Sequence, residues 1–251
     1  DPPGTEMAGL SAIDYYGYRI GMLWVIHNLG SITRQEWNAI VARNKKQGFF
    51  GYPIEMNNTR CREMHTEIVL GDSNGQWHRP HRQPYIIMGN EGEWDEAILL
   101  AGRPIVANDR IYIYYTGHGR TKQTPGITAP QKIGQWNVDT GLATLRLDGF
   151  ACLEPVEQQG ELITAALECL PRQLLVNADA GHGSVMLEWL DINDRPIPGY
   201  TRQEVQPLAG DMLRAQPRWN GKAQLPDIDL RNTKIRVILQ NAKLFSLTLV
   251  E

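Results

Sequence analysis

Tyr18–Asn28, YRIGMLWVIHN, together with the later run His65–Pro80, HTEIVLGDSNGQWHRP, sets a pattern that the chain uses twice. The second copy is Arg110–Gly119, RIYIYYTGHG, followed by Thr140–Pro155, TGLATLRLDGFACLEP. Each copy is an aromatic-rich strand, then a strand ending in Asp-x-x-Gly or Leu-Asp-Gly, an aromatic residue and a closing proline. Repetition of a strand unit points to modules such as propeller blades, whose centres hold ligands. The repeat therefore bears on function as well as on fold.

Other strand signals surround it. Ile20–Ile26, Glu67–Leu70, Ile111–Tyr115, Leu142–Leu147, Leu174–Asn177, Val185–Leu190, Lys234–Leu239 and Leu244–Val250 are β-branched or aromatic runs bounded by Gly, Pro, Asn and Asp. Asn108-Asp109, Asp148-Gly149 and Asn193-Asp194 read as tight turns. Residues 33–47 predict one short helix, with Thr33 as N-cap and Glu36 completing a capping box, inserted in the first repeat. Gly119–Gln135 has no periodicity and reads as a long loop. After Phe150 the repeat stops and the strands become regularly spaced. The expected architecture is all-β: an incomplete set of propeller blades over residues 1–149, with an insertion near 30–60, followed by a β-sandwich over 150–251.

Composition narrows the function classes. Charged residues make up 21% of the chain and the net charge is −3, which leaves no electrostatic footprint for nucleic acid or an anionic membrane. No apolar run reaches the ~18 residues a spanning helix needs. Seven Trp and nine Tyr are many, and open β clefts that bind sugars use such residues as well as cores do. The three cysteines, Cys61, Cys152 and Cys169, are too few and scattered for a disulfide framework or a zinc site. Cys152 and Cys169 could pair across a hairpin; buried free thiols are the favoured reading. No P-loop, dinucleotide fingerprint or nucleophile elbow occurs, and no cofactor is expected.

Several residues are candidates for chemistry. Glu6, ahead of the first aromatic strand, reads either as a general acid under an apolar rim or as a solvated loop residue. Glu93–Glu96, EWDE, sets three carboxylates around Trp94. That turn is either an acidic surface bend or a site where Trp94 stacks on a sugar and Asp95 holds its hydroxyls. His27, His65 and His118 lie at strand ends without metal-ligand spacing. They remain candidates for binding hydroxyls, since His27 and His118 occupy matching places in the two copies. Arg79, His81 and Arg82 beside Trp77 read as a solvated basic face, or as a seat for a sugar acid or sulfate.

Gly92–Gly117, GEWDEAILLAGRPIVANDRIYIYYTG, followed by Gly141–Leu153, GLATLRLDGFACL, resembles the last blade of glycoside-hydrolase-like five-bladed β-propellers, the relatives of families 32, 43 and 68. Asn177–Tyr200 and Asn241–Leu247 resemble the β-sandwich that follows the propeller in a subgroup of them. The opening residues resemble the start of the preceding blade. The resemblance implies hydrolysis of O-glycosyl bonds with no cofactor. It puts Glu6 where the family carries its general acid on a later blade; Trp94, Asp95, His27, His65 and His118 remain the candidates, from their own residue types and places, for lining the sugar. Two carboxylates flank the bond in such chemistry, and the resemblance puts the other acids upstream of Asp1. The expected partners are a carbohydrate and either another chain or an upstream segment completing the propeller. Export, secreted or periplasmic, follows from the resemblance alone. The alternative is a non-catalytic carbohydrate-binding or assembly module.

Overall fold

A computed structural model describes residues 1, 5–28, 62–72, 74–87, 89, 93–95, 97–119 and 137–251. The helix expected at 33–47 and nearly all of the loop expected at 119–135 lie outside the described residues; Gly119 itself ends a strand. Within them there is no helix, and every sheet is antiparallel where its register is defined. The chain divides into two units, Asp1–Thr144 and Leu145–Glu251.

The first unit opens with β1 (Thr5–Tyr15), β2 (Tyr18–Asn28), β3 (Arg62–Gly71) and the short β4 (Trp77–His78), neighbours in space in the order they occur in sequence. Tyr15 pairs with Tyr18 across a two-residue turn in which Tyr16 and Gly17 have φ of 47° and 83°. Positive φ at both positions matches the twist of the flanking strands, the geometry of a type I′ hairpin. Met22 and Val25 alternate in parity and are both fully buried, so β2 is covered on both faces.

A second sheet repeats this plan. β5 (Ala97–Ala101) and β6 (Ile105–Ala107) pair successive parts of β7 (Arg110–Gly119), and β8 (Asn137–Arg146) also pairs β7. Asn108 and Asp109, at φ of 49° and 60°, make another two-residue turn between Ala107 and Arg110. The two sequence copies are thus β2–β3 and β7–β8, each entered through a tight hairpin. They diverge after the Asp-Gly turn: β4 extends the first sheet, whereas Leu153 bridges to Leu244 in the second unit. Trp24 Nε1 donates to Ala101 O at 2.9 Å and the Ala101 amide donates to Thr66 Oγ1 at 3.1 Å, which ties β5 to the first sheet.

The second unit is organised by β10 (Gln173–Leu190), 18 residues long. Leu174–Asn177 and Val185–Leu190, read from sequence as two strands, are two segments of this one strand. β11 (Leu208–Ala215) pairs it from Val176 to Val185, and β13 (Lys243–Val250) pairs its first half. Its second half pairs β12 (Lys234–Gln240), which in turn pairs β9 (Gln159–Ile163). β13 gives way to β12 between Asp179 and Ser184, where two glycines interrupt the β-branched pattern and the β11 register also shifts. Val176, Val185, Leu187 and Trp189 from both halves of β10 join Ile235 and Val237 of β12 in one apolar core, and Trp219 Nε1 closes it by donating to Leu187 O at 3.2 Å. Burial of this apolar surface, at about 25 cal/mol per Å², holds the unit together. Cys152 and Cys169 are free thiols as the favoured reading expects, but exposed and half-buried rather than buried, and no hairpin disulfide joins them.

Candidate functional site

Trp94 and Asp95 lie in the turn just ahead of β5 and reach back over β7. The Trp94 and Tyr115 rings stack with centroids 5.6 Å apart and planes 20° from parallel. Offset stacking at this separation is a favoured aromatic arrangement. Tyr115 Oη donates to Asp95 Oδ2 at 3.0 Å, and Gly89 N donates to Asp95 O at 3.1 Å. Burial first, and then the Asp95 bond, push the Tyr115 phenol up to about 12. The phenol therefore stays a donor through the ordinary pH range, and the carboxylate is held by one oxygen.

Three glycines make room for this group. A Cβ at Gly117 would stand 2.6 Å from Asp95 Cβ and 2.8 Å from the Trp94 ring. At Gly141 it would stand 2.7 Å from Trp94 and overlap Tyr115 outright. At Gly89 it would overlap Asp95 Oδ1 and stand 2.7 Å from Glu93 Oε2, so both carboxylates turn toward one point. Trp94 nonetheless remains 38% exposed. The result is a partly exposed indole stacked on Tyr115, with the neighbouring Asp95 bonded by Tyr115 Oη and by the Gly89 amide.

Of the residues singled out from sequence, Trp94 and Asp95 are brought together, with Tyr115 as a partner the sequence did not single out. A signal was present: Gly89, Gly117 and Gly141 bracket an aromatic run, and glycine inside strands marks a close approach. Glu6 lies elsewhere, on β1 rather than in a loop, opposite Ile26 and exposed to solvent. His27 is paired with Thr5 and Glu63 on β2, and His118 with Ala97 on β7; their side chains lie outside the described residues.

His65 is in a different setting from either histidine. It is buried on β3, and its Nε2 lies 3.0 Å from Glu67 Oε1. Arg79 grips the same carboxylate through Nε and Nη2, each at 2.8 Å, and also bonds Asp1. Burial pushes the Glu67 carboxyl up, but the bonds from His65 and Arg79 outweigh it and hold the group at about 2. Arg79 is correspondingly raised by Glu67. The basic face expected at Arg79, His81 and Arg82 is corrected at Arg79 alone: its side chain is 9% exposed and its charge is spent on Glu67, whereas His81 and Arg82 are exposed to solvent. The pairing of Glu67 with Arg79 went unread because the two are brought together only by the β3–β4 hairpin.

A shallow cleft of about 470 Å³ opens at the hairpin tips between Asp14, Arg19, Asp72 and Asn74. Asp72 and Arg19 are committed to the turn. Asp72 Oδ1 accepts from the Asn74 and Gln76 amides, Oδ2 bonds His78 at 2.9 Å, and Arg19 donates to Asp72 O. Among the described residues, no group of three His, Cys, Asp or Glu side chains is arranged to hold a metal ion. No family model, characterised protein or solved structure matches the chain.

Proposed function

We propose that this chain acts on carbohydrate, as the sugar-holding portion of a propeller-type glycoside hydrolase whose second unit is a β-sandwich. One observation carries the proposal: the open face of Trp94, braced by Tyr115 and edged by Asp95. Pyranose rings present a C–H face that packs on indole and hydroxyls that donate to a fixed carboxylate. The sheet β1–β4, four antiparallel strands adjacent in sequence order, has the form of a propeller blade and supports the same reading.

Glu6 is the candidate general acid. The non-catalytic reading draws on a specific observation against it: Glu6 is solvent-exposed, whereas a carboxyl that must hold its proton near neutral pH needs an apolar surround. Calorimetric titration of the full chain with a panel of neutral glycosides tests binding, and Trp94→Ala should remove whatever affinity is found. Release of nitrophenol from aryl glycosides tests hydrolysis. Turnover lost in Glu6→Gln with binding kept supports the enzyme. Binding without turnover in the native chain supports the module, and binding that survives Trp94→Ala overturns the assignment of the site.

A further inference from the structure

We infer that Asn74 is a site of spontaneous deamidation, a property of the fold that does not depend on the sugar reading. The chain has two Asn-Gly pairs, Asn74-Gly75 and Asn220-Gly221, and all four residues are exposed to solvent. In such a pair the glycine amide nitrogen attacks the asparagine carboxamide carbon. Ammonia leaves with the side-chain nitrogen and a cyclic succinimide closes. Water then opens the ring at either carbonyl, giving aspartate or an isoaspartate whose backbone is one methylene longer. Glycine favours the attack because it has no Cβ to crowd the approach and turns freely. Water is the only co-reactant.

What separates the two pairs is how firmly each is held. Asn74 and Gly75 form the tip of the turn between β3 and β4. Asp72 Oδ1 anchors the Asn74 and Gln76 amides at 2.9 and 2.8 Å, whereas the Asn74 carboxamide makes no hydrogen bond among the described residues. The attacking Gly75 nitrogen is tied to Asp72 O at 3.2 Å, the long end of the amide range. Asn220 is in a stiffer setting. It and Gly221 have φ of 49° and 78°, and Trp219 and Lys222 exchange both backbone bonds across them at 2.9 Å, as in a type I′ hairpin. The Asn220 amide donates to Glu204 O at 2.9 Å and its carboxamide bonds the Glu204 carboxylate. Thr201 holds that carboxylate in turn through its amide at 3.0 Å and its hydroxyl at 2.9 Å. Ring closure at Asn220 must therefore break a side-chain bond and leave the turn conformation. At Asn74 one long backbone bond has to open.

The modification reaches further than the tip. An added methylene at residue 74 would pull the Gln76 amide from Asp72 Oδ1 and the Asp72 amide from Gln76 O. Those bonds set β4 against β3 and so carry Arg79 onto Glu67.

Incubation of the full chain in warm, mildly alkaline buffer, then digestion and peptide mass spectrometry, tests the assignment against a parallel sample unfolded in guanidinium chloride. In the native sample the Asn74 peptide should convert from amide to acid roughly fivefold faster than the Asn220 peptide, the factor one further hydrogen bond supplies. In the unfolded sample the two rates should converge. An isoaspartate methyltransferase should label the Asn74 product, and the aged protein should unfold at lower urea than fresh protein, a loss that Asn74→Gln prevents. Native rates that are equal, or faster at Asn220, would overturn the inference. So would an Asn74 that stays intact in the native chain while the unfolded chain converts. A difference that persists unchanged on unfolding would overturn it too, since local sequence and not the fold would then set it. An unshifted urea midpoint in fully converted protein would overturn the link from the turn to Arg79 and Glu67.

Discussion

Glu67 and Arg79 form a two-point ion pair closed off from solvent: Nε reaches Oε2 and Nη2 reaches Oε1, each at 2.8 Å, with side chains 2% and 9% exposed. Planar guanidinium and carboxylate match in this way, and the second bond fixes orientation as well as distance. His65 occupies the remaining side of the carboxylate. The first sheet therefore carries a fixed buried charge in its interior, and its stability depends on that charge staying compensated.

Acid should reveal it. The Glu67 carboxyl is held at about 2 in the folded chain, against an ordinary value of 4.5. A folded value below the unfolded one gives stability that is fully present above about 4.5 and lost as the pH falls through about 2. By linkage the contribution is about 3 kcal/mol. Urea midpoints measured from pH 7 to pH 2 should fall along that limb. In Glu67→Gln the limb should flatten, with the whole curve lowered by roughly 3 kcal/mol because Arg79 is left buried without its counter-charge. A Glu67→Gln protein whose acid limb matches the native one would show that the group does not set it.

Tyr115 connects the two parts of the Trp94 site, stacking under one residue and bonding the other. Tyr115→Phe should keep the stack, and with it the near-ultraviolet signal of Trp94. The bond orienting Asp95 should be lost, at a stability cost of about 1 kcal/mol in urea unfolding. Sugar affinity should fall by roughly fivefold, as one oriented acceptor is released. Equal affinity in the two proteins would show that Asp95 needs no such support.

How much of this was legible in the sequence depended on where the information lay. Each of the eight runs read as strand coincides with a strand, with only Leu147 of Leu142–Leu147 beyond the end of β8, because β-branched and aromatic residues leave a local record of a pleated, half-buried surface. β1, TEMAGLSAIDY, left none: Gly9 and small residues lower its signal, and Gly9 is needed because a Cβ there would stand 2.6 Å from the Trp24 ring. β9 and β11 are partly exposed strands whose polar positions look like loop. Asp191 shows the opposite case. Its carboxylate accepts from the Asn193 and Arg195 amides just as Asp72 accepts from Asn74 and Gln76, so two Asp-x-Asn turns in different units were readable from four residues each. The Trp94 turn stood out in the sequence by its three carboxylates around one aromatic, but its contact with Tyr115 on β7 is tertiary and has no local record.

Gly183 tests the centre of the second unit. A Cβ there would fall on the Gln240 carbonyl oxygen, which is backbone and cannot turn aside. Ser184, its neighbour in β10, pairs with that same Gln240 on β12, so relief requires the two strands to separate. Gly183→Ala should cost roughly 1–3 kcal/mol or more of overpacking strain. Gly181→Ala, whose Cβ would meet only the Asp179 carboxylate at 3.4 Å, is the matched control and should lie within about 0.5 kcal/mol of the native chain. Equal urea midpoints for the two variants would show that β10 and β12 have room to adjust.

Glu188, on the same strand, gives the sharpest test of how the second unit holds a buried charge. Its side chain is 2% exposed. Arg236 Nη1 bonds Oε2 at 2.6 Å, the Arg202 amide donates to Oε1 at 3.1 Å, and the Arg202 guanidinium stands 3.6 Å from Oε2 while also bonding Glu161 at 3.1 Å. Arg236 is the partner directly opposite on β12, so removing it strands the carboxylate more than removing Arg202 would. Arg236→Met should therefore destabilise the chain by about 3 kcal/mol, the usual cost of leaving one member of a buried pair uncompensated. Replacing both members with apolar residues of similar size, Glu188→Leu with Arg236→Met, should recover most of the loss, since neither charge is then buried. The cycle of single and double variants in urea isolates the coupling, which should come to at least about 1 kcal/mol. Additive losses would show instead that Arg202 and the backbone amide carry the Glu188 charge without help from Arg236.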